Sequence, residues 1–199
     1  MKILIVVIPF ALFINLSKAQ RTYDDIFKTK TVYFYGYDFT NFRFVEEKRT
    51  GREDEIKSFI FDLTDLMNKK RKKNFYEKLI KKDTVIFDQQ TVMNLNKEIN
   101  IENIMSFTQN SIPKDSLQNI INKYDTKGKS GVGFVQIIEC FYKPEKQASI
   151  WYVFFDISTK KILDTYENIN NDVGKYHTLR IYWGASLWYG MAKYHNYYS

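Results

Sequence analysis

Residues 131–167 read GVGFVQIIECFYKPEKQASIWYVFFDISTKKILDTYE, which is the most informative segment for predicting the fold. It contains three runs rich in β-branched and aromatic residues, separated by the short polar segments PEKQ and STKK. Such runs favour extended strands, and tight polar turns between consecutive strands favour antiparallel hairpins. The stretch therefore predicts three strands that form an antiparallel meander.

Two segments upstream extend the predicted sheet. TVYFYGYDFTNFRF, residues 31–44, is largely apolar on both alternating faces, which is typical of one interior strand covered on two sides. DTVIFD, residues 83–88, predicts a short buried strand. With the meander, these segments predict a mixed sheet of about five strands.

Helical periodicity separates the strands. Apolar residues recur at three- and four-residue steps after residue 51 and again near residue 120, which predicts two amphipathic helices. Val92, Leu95 and Ile99 indicate a further short helix. The order of strand, helix, strand, one or two helices, three strands and helix predicts an α/β sandwich with helices packed on the sheet.

The C-terminal stretch IYWGASLWYGMAKYHNYY, residues 181–198, is dense in aromatic and small residues. We expect a helix that begins at Leu179, and a helix so apolar around its circumference is normally buried. Trp183 is expected to lie against the sheet, where Gly184 and Ala185 allow close approach. A partly exposed aromatic binding edge is the alternative. Membrane insertion is disfavoured because the segment lacks a basic polar face.

The N-terminus has the layout of a secretory signal peptide. Lys2 precedes an apolar run that ends near residue 16, and Ser17, Lys18 and Ala19 supply a cleavage site. A membrane anchor is disfavoured because the run is short and contains Pro9. The expected organisation is a signal peptide over residues 1–19 and a single α/β domain over residues 20–199. The expected location is periplasmic or secreted, with no transmembrane segment in the mature chain.

Composition restricts the chemistry. Cys140 is the single cysteine and lies among apolar residues, which excludes an intrachain disulfide and predicts an inert buried thiol. The two histidines are His177 and His195, so we expect no metal site, and no motif predicts a cofactor. Loss of Lys2 and Lys18 lowers the formal net charge from +7 to +5, which does not favour nucleic acid.

Motifs of common enzymes are also missing from the sequence. No Gly-x-Ser-x-Gly nucleophile turn occurs. GKSGVG, residues 128–133, lacks the Gly-Lys-Ser/Thr ending of a phosphate-binding loop and precedes a strand, so it is expected to be a turn.

Four residues are candidates for a catalytic or ligand-binding group. Asp38 and Asp156 lie near the ends of apolar strands, and Arg180 and His177 lie near the start of the last helix. A carboxylate in such surroundings needs a hydrogen-bond donor, a cation or water. One interpretation is that the aspartates cap strand-end turns or hold Arg180 in a buried network. The other is that they line a cleft and act as acid and base.

A basic run lies at the end of the first long helix, and its members are Lys69, Lys70, Arg71, Lys72 and Lys73. Consecutive cations at a helix end favour the helix dipole and are often simply solvated. The alternative is a binding surface for an anionic partner, such as lipid phosphate or acidic polysaccharide.

Three segments resemble small exported proteins of uncharacterised function that are typical of Bacteroidetes: FYGYDFTNFRF, WYVFFDISTKKIL and GKYHTLRIYWGASL. In that family the first motif is similar to Gly-hydrophobic-Asp-Phe-Ser and the last to Gly-Leu-Arg-Asn-Tyr-Trp-Ala. Here Thr40 replaces the serine, Ile181 the asparagine and Gly184 the alanine, and Ile181 argues against a polar catalytic role there. The segment order also resembles, at the level of fold alone, periplasmic domains of curli-secretion and penicillin-binding-protein-activator lipoproteins.

Two functions remain open from the sequence. The favoured one is an exported, non-enzymatic envelope or secreted binding module, whose partner is an anionic envelope surface or another envelope protein. The alternative is a small secreted hydrolase that uses the strand-end carboxylates Asp38 and Asp156.

Overall fold

The computed structural model describes residues 21–46, 53–69, 75–109, 111–171, 183–187, 190, 191 and 193. Its strands are β1 Thr31–Asp38, β2 Arg43–Val45, β3 Thr84–Phe87, β4 Met105–Ser106, β5 Val132–Tyr142, β6 Gln147–Asp156 and β7 Ile162–Asn170. Its helices are α1 Tyr23–Lys28, α2 Glu53–Lys69, α3 Phe75–Leu79, α4 Gln90–Lys97 and α5 Leu117–Asn122, with 3-10 turns at Ile101–Asn103 and Lys114–Ser116.

The seven strands occupy five adjacent rows of the sheet. β1 and β2 share one row and β3 and β4 share another, whereas β5, β6 and β7 each form a row of their own. Along one edge of β5, β1 pairs in parallel with residues 132–137 and β2 with residues 140–142. Outside them, β3 pairs in parallel with β1, and β4 with β2. Along its other edge β5 pairs antiparallel with β6, which pairs antiparallel with β7. The sheet therefore contains both kinds of pairing, and β5 is its central row.

Helices cover both faces of the sheet. One core joins α1, α2 and α3 to residues such as Phe34, Phe134 and Phe154. The opposite core joins α4 and α5 to residues such as Val135 and Val153. Alternation along β5 and β6 sends neighbouring side chains into different cores, and both cores are apolar. This explains why these strands are apolar almost without interruption.

The α/β class expected from the sequence is confirmed. The single strand expected over residues 31–44 is wrong, because residues 39–42 interrupt it and leave β1 and β2 as two pieces of one row. The expected count of about five strands differs from seven because β2 has three residues and β4 has two. Segments so short carry no readable alternation.

Trp183 lies in the core, as predicted. Residues 183–187, 190, 191 and 193 are helical, and we call them the C-terminal helical segment. The Trp183 side chain is fully buried, and its ring stacks on Phe141 of β5 with centroids 4.5 Å apart. A Cβ added at Gly184 would lie 3.2 Å from Leu63 of α2, so a small residue permits this contact. The remaining aromatic residues of the stretch 181–198 lie outside the described residues.

A membrane-spanning helix would need a long and strongly apolar segment. None of the helices in the described part of the chain meets that requirement.

Candidate functional site

Asp38 ends β1 and is fully buried. Its Oδ1 accepts hydrogen bonds from the Thr40 backbone N–H at 2.8 Å and the Thr40 hydroxyl at 2.6 Å. Its Oδ2 accepts a hydrogen bond from the Tyr124 hydroxyl at 2.6 Å. Burial, and then the charge of Asp38, raise the pKa of Tyr124 well above its ordinary value. Asp38 therefore caps the turn that ends β1, and its partners are neutral donors.

Asn96 of α4 closes the interruption between β1 and β2. Its side-chain Oδ1 accepts a hydrogen bond from the Phe39 N–H at 2.9 Å, and its Nδ2 donates to the Tyr37 carbonyl at 2.8 Å. Where the chain leaves the ladder, backbone groups lose strand partners, and buried groups of this kind must be satisfied. A single buried amide provides both missing bonds. Asn96 thus has a clear structural role, which helical periodicity alone did not reveal.

Asp156 ends β6 and is also buried. Its Oδ1 accepts hydrogen bonds from the Ser158 hydroxyl at 2.5 Å and the Thr159 N–H at 2.8 Å, and its Oδ2 pairs with Arg21 at 2.8 Å. Burial by itself would raise the pKa of Asp156, but hydrogen bonds from Ser158, Arg21 and Thr159 outweigh it and lower the pKa to about 2. The cation beside Asp156 in the structure is Arg21.

The structure does not bring Asp38 and Asp156 together. Asp38 aligns with Ile137 of β5, and Asp156 aligns with Val132, five residues earlier in the same strand. At roughly 3.3 Å per residue, this register separates them by about 16 Å along the sheet. Carboxylate pairs that act on one glycosidic bond lie at most about 9.5 Å apart. No joint acid–base role follows from this placement.

The other candidates from the sequence lie largely outside the described residues. This holds for Arg180 and His177, and for Lys70, Arg71, Lys72 and Lys73. Lys69 is the last residue of α2.

The Cys140 thiol is buried, in agreement with its predicted inert role. Burial, and then the charge of Glu139, raise its pKa to about 12. A thiol so difficult to ionise is a poor nucleophile at neutral pH.

Glu139 is a buried carboxylate that sequence reasoning missed. It lies where the β5–β6 register shifts, between Ile138 and Cys140. It accepts hydrogen bonds from the Ile112 N–H, the Ser149 hydroxyl and the Trp151 indole N–H, the last at 3.4 Å. The sequence feature that could have identified Glu139 is a single acidic residue in an apolar strand. Hydrogen-bond donors of the protein itself satisfy the Glu139 carboxylate, which indicates a structural role.

An open surface depression of about 470 Å³ lies between α4 and the segment that connects α5 to β5. Its lining is Gln90, Thr91, Asn94, Leu95, Glu98, Lys123, Asp125, Lys127 and Lys129. We call this surface the α4–α5 depression. Its single apolar side chain lies among amides, a hydroxyl, two carboxylates and three ammonium groups. Such a lining suits a hydrophilic ligand.

Local hydrogen bonds hold the walls of the α4–α5 depression together. The Thr91 hydroxyl on α4 donates to the Asp125 carbonyl at 3.0 Å, and the Asp125 side chain accepts from the Lys127 N–H at 3.2 Å. Gly128 adopts a φ of +73°, a turn conformation that glycine tolerates without strain. The GKSGVG segment starts in a turn, as predicted, and its position beside a depression is a finding of the structure.

The three lysines of the depression differ in their pairing. Lys129 forms an ion pair with Asp88 at 2.5 Å, and both side chains are partly covered. Lys123 and Lys127 are exposed, and no carboxylate pairs with either of them in the described ranges. The depression thus presents two ammonium groups that remain available to a ligand.

The residues that the structure describes contain no cluster of three or more histidine, cysteine or acidic side chains that could hold a metal ion.

Comparison with known proteins adds no relative. The chain matches no protein-family model, no curated protein and no solved structure.

Proposed function

We propose that the protein is an exported, non-enzymatic binding module whose α4–α5 depression binds an anionic group of a polar envelope polymer, such as the carboxylate of an acidic glycan. The observation that carries this proposal is the pair Lys123 and Lys127, whose ammonium groups line the depression without a carboxylate partner among the described residues. An anion that reaches them gains charge-assisted hydrogen bonds.

The remaining lining supports a polymer over a small enclosed substrate. Gln90 and Asn94 are exposed amides on successive turns of α4, and Glu98 continues the same line. Amides donate hydrogen bonds to hydroxyl groups and accept them, and carboxylates accept them, so both suit the sugar rings beside a carboxylate. The depression is open to solvent, which lets a chain enter and leave.

Export and the basic run belong to the same proposal. The expected signal peptide takes the protein to the envelope or the medium, where acidic polymers are available partners. Lys69–Lys73 would add a second, longer-range attraction toward an anionic surface. The resemblance to small exported Bacteroidetes proteins is consistent with this setting and assigns no activity.

The test is a binding titration with an oligogalacturonate, which carries one carboxylate per sugar. The protein is purified from the periplasmic fraction or the medium, and mass spectrometry checks that its N-terminus lies at or near Gln20. We expect chemical-shift changes in α4 and residues 123–129, and a dissociation constant that rises with salt because screening weakens the contacts. An uncharged maltohexaose should bind much more weakly.

Charge reversal identifies the site. Exposed ion contacts contribute about 0.2–1 kcal/mol each, and reversal adds repulsion to the loss of two contacts, so Lys123→Glu with Lys127→Glu should weaken binding by about tenfold. The matched control is Lys57→Glu with Lys78→Glu, which changes the net charge equally on α2 and α3, across the sheet. If both double variants bound the oligogalacturonate equally weakly, net charge alone would explain the effect. That result would contradict a site in the α4–α5 depression.

A further inference from the structure

The basic loop of the α4–α5 depression lies at the N-terminal end of α4. Thr91, in the first turn of α4, donates a hydrogen bond to the Asp125 carbonyl at 3.0 Å. Lys129 pairs with Asp88, two residues before the start of α4. Lys127 lies between Asp125 and Lys129 in the chain. Two separate contacts therefore hold the lysine-bearing loop at one end of the helix.

Glu98 lies at the opposite end of the same helix. It is the residue that ends α4, seven positions after Thr91, and at 1.5 Å per residue the two backbone positions are about 10 Å apart along the axis. Gln90 and Asn94 precede Glu98 by eight and four residues, so the three side chains share one face of α4. All three line the depression. The lining therefore runs along α4 from the basic loop to an acidic residue.

The Glu98 carboxylate is available to a ligand. Its side chain is exposed, and across the described ranges it takes part in neither a hydrogen bond nor an ion pair. Asp125, the other acidic residue of the lining, differs because its side chain accepts a hydrogen bond from the Lys127 N–H at 3.2 Å. Lys97 is adjacent to Glu98 in sequence, but it does not belong to the lining. The partial negative charge at the C-terminal end of a helix also favours a cation beside Glu98.

The two ends of the depression therefore attract opposite charges. A polymer that carries carboxylates alone satisfies the lysines, but any carboxylate that reaches Glu98 meets a like charge. An ammonium group at the same position donates charge-assisted hydrogen bonds to the Glu98 carboxylate. A ligand that suits the whole depression has an anionic group at the basic loop and a cationic group about 10 Å further along α4.

We propose that the polymer bound in the α4–α5 depression is zwitterionic, with its carboxylate at Lys127 and a protonated amino group at Glu98. This inference rests on the proposed function, because it assumes that the depression binds a carboxylate-bearing polymer. Glu98 is then the residue that determines specificity. The amides of Gln90 and Asn94 contact the hydroxyl groups of the sugar units.

A matched pair of hexasaccharides tests the amino group. Both alternate glucuronate with glucosamine, and the amines are free in one and acetylated in the other, so the carboxylates are identical and only the positive charges differ. The titration is followed by nuclear magnetic resonance at about pH 6, where an amine with a pKa near that of an α-amino group is protonated. We expect the mature protein to bind the free-amine form about two- to fivefold more tightly, the range for one exposed ion pair.

The net charge of the protein acts against this preference. The chain has a formal net charge of +7, and the acetylated hexasaccharide is the more negative of the two. General electrostatic attraction therefore favours the acetylated form. Tighter binding of the free-amine form requires a local acidic partner.

Glu98→Gln identifies that partner, because glutamine keeps the length of the side chain and removes its charge. This variant should bind both hexasaccharides with equal affinity. The control is Glu102→Gln, since Glu102 is exposed on the neighbouring 3-10 turn and lies outside the lining. Glu102→Gln changes the net charge equally and should keep the wild-type preference.

The outcomes separate this inference from the proposed function. If oligogalacturonate and both hexasaccharides bind, and the wild type does not prefer the free-amine form, the carboxylate site stands and the zwitterionic ligand is overturned. A preference that persists in Glu98→Gln overturns it as well, because the amine then pairs elsewhere. If none of the three oligosaccharides binds, the proposed function fails and this inference fails with it.

Discussion

Asp38 and Asp156 use the same local device. Each is followed after one residue by a hydroxyl residue, in Asp-Phe-Thr and Asp-Ile-Ser, and each carboxylate accepts a hydrogen bond from that hydroxyl. Aspartate is suited to such turns because its side chain reaches its own backbone two or three residues ahead. The difference lies in the third partner, a phenol for Asp38 and the guanidinium of Arg21 for Asp156.

The hydrogen bonds that Asp156 accepts from Ser158, Arg21 and Thr159 make stability depend on acid pH. The pKa of Asp156 falls from an ordinary 3.8 to about 2 in the folded protein, so the ionised form is favoured by folding. This contribution, roughly 2 kcal/mol, is complete above about pH 4 and is lost as pH falls toward 2. Asp156→Asn should lower the free energy of unfolding by about that amount at pH 7. It should also make that free energy less dependent on pH between pH 4 and 2, as measured by urea titration at each pH.

Asp115→Asn is the control, because Asp115 is exposed on a 3-10 turn. It should follow the wild-type curve at every pH. An Asp156→Asn curve parallel to the wild type down to pH 2 would contradict a pKa held low by Arg21, Ser158 and Thr159.

At the scale of elements, two packing contacts fix the sheet. The amide of Asn96 bridges the interruption between β1 and β2, so the two strands continue as one row beside β5. Trp183 fixes the C-terminal helical segment, since its indole stacks on Phe141 and meets Phe44 edge-on at 6.0 Å. Phe44 and Phe141 are themselves partners in the β2–β5 pairing. One side chain thus covers two rows of the sheet.

Trp183→Ala should be strongly destabilising. Truncation removes the stacked ring and leaves a cavity, which costs roughly 3 to 5 kcal/mol for a buried aromatic residue. This is a large share of the roughly 5 to 15 kcal/mol that stabilises a typical domain. We expect unfolding at a much lower denaturant concentration, or little soluble protein.

Phe107→Ala is the matched control, because the Phe107 side chain is 65% exposed. It should change the free energy of unfolding by less than about 0.5 kcal/mol. A change below about 1 kcal/mol for Trp183→Ala would instead assign that ring to an aromatic binding edge.

At the scale of the molecule, the sequence predicted what local patterns encode. The turns between β5, β6 and β7 each span a few polar residues, so the strand boundaries were visible in the chain. The interruption after Asp38 was not visible, because Phe39 and Phe42 are as apolar as the strand residues around them. The α/β class depended only on the order of elements, which explains why it could be recognised.

The sites were less predictable because their partners are distant in sequence. Arg21 reaches Asp156 across 135 residues, and Tyr124 reaches Asp38 across 86. The α4–α5 depression combines a helix with a loop about thirty residues later. Apolar runs containing a single carboxylate identified Asp38 and Asp156, and the same criterion applied to β5 would have found Glu139.

The central position of β5 has a consequence for the order of folding. Tyr142 and Gln147, which pair beside the β5–β6 turn, are five residues apart, whereas Val32 and Val132 are one hundred residues apart. Loop-closure entropy makes the distant pairing slower to form, and local hairpins close early. In pulsed hydrogen exchange, amides of β6 should gain protection before those of β1, and simultaneous protection would contradict this order. The pairing of β1 with β5 is therefore late although β1 is made early, and the ribosome must pass residue 132 before β1 has this neighbour in the centre of the sheet.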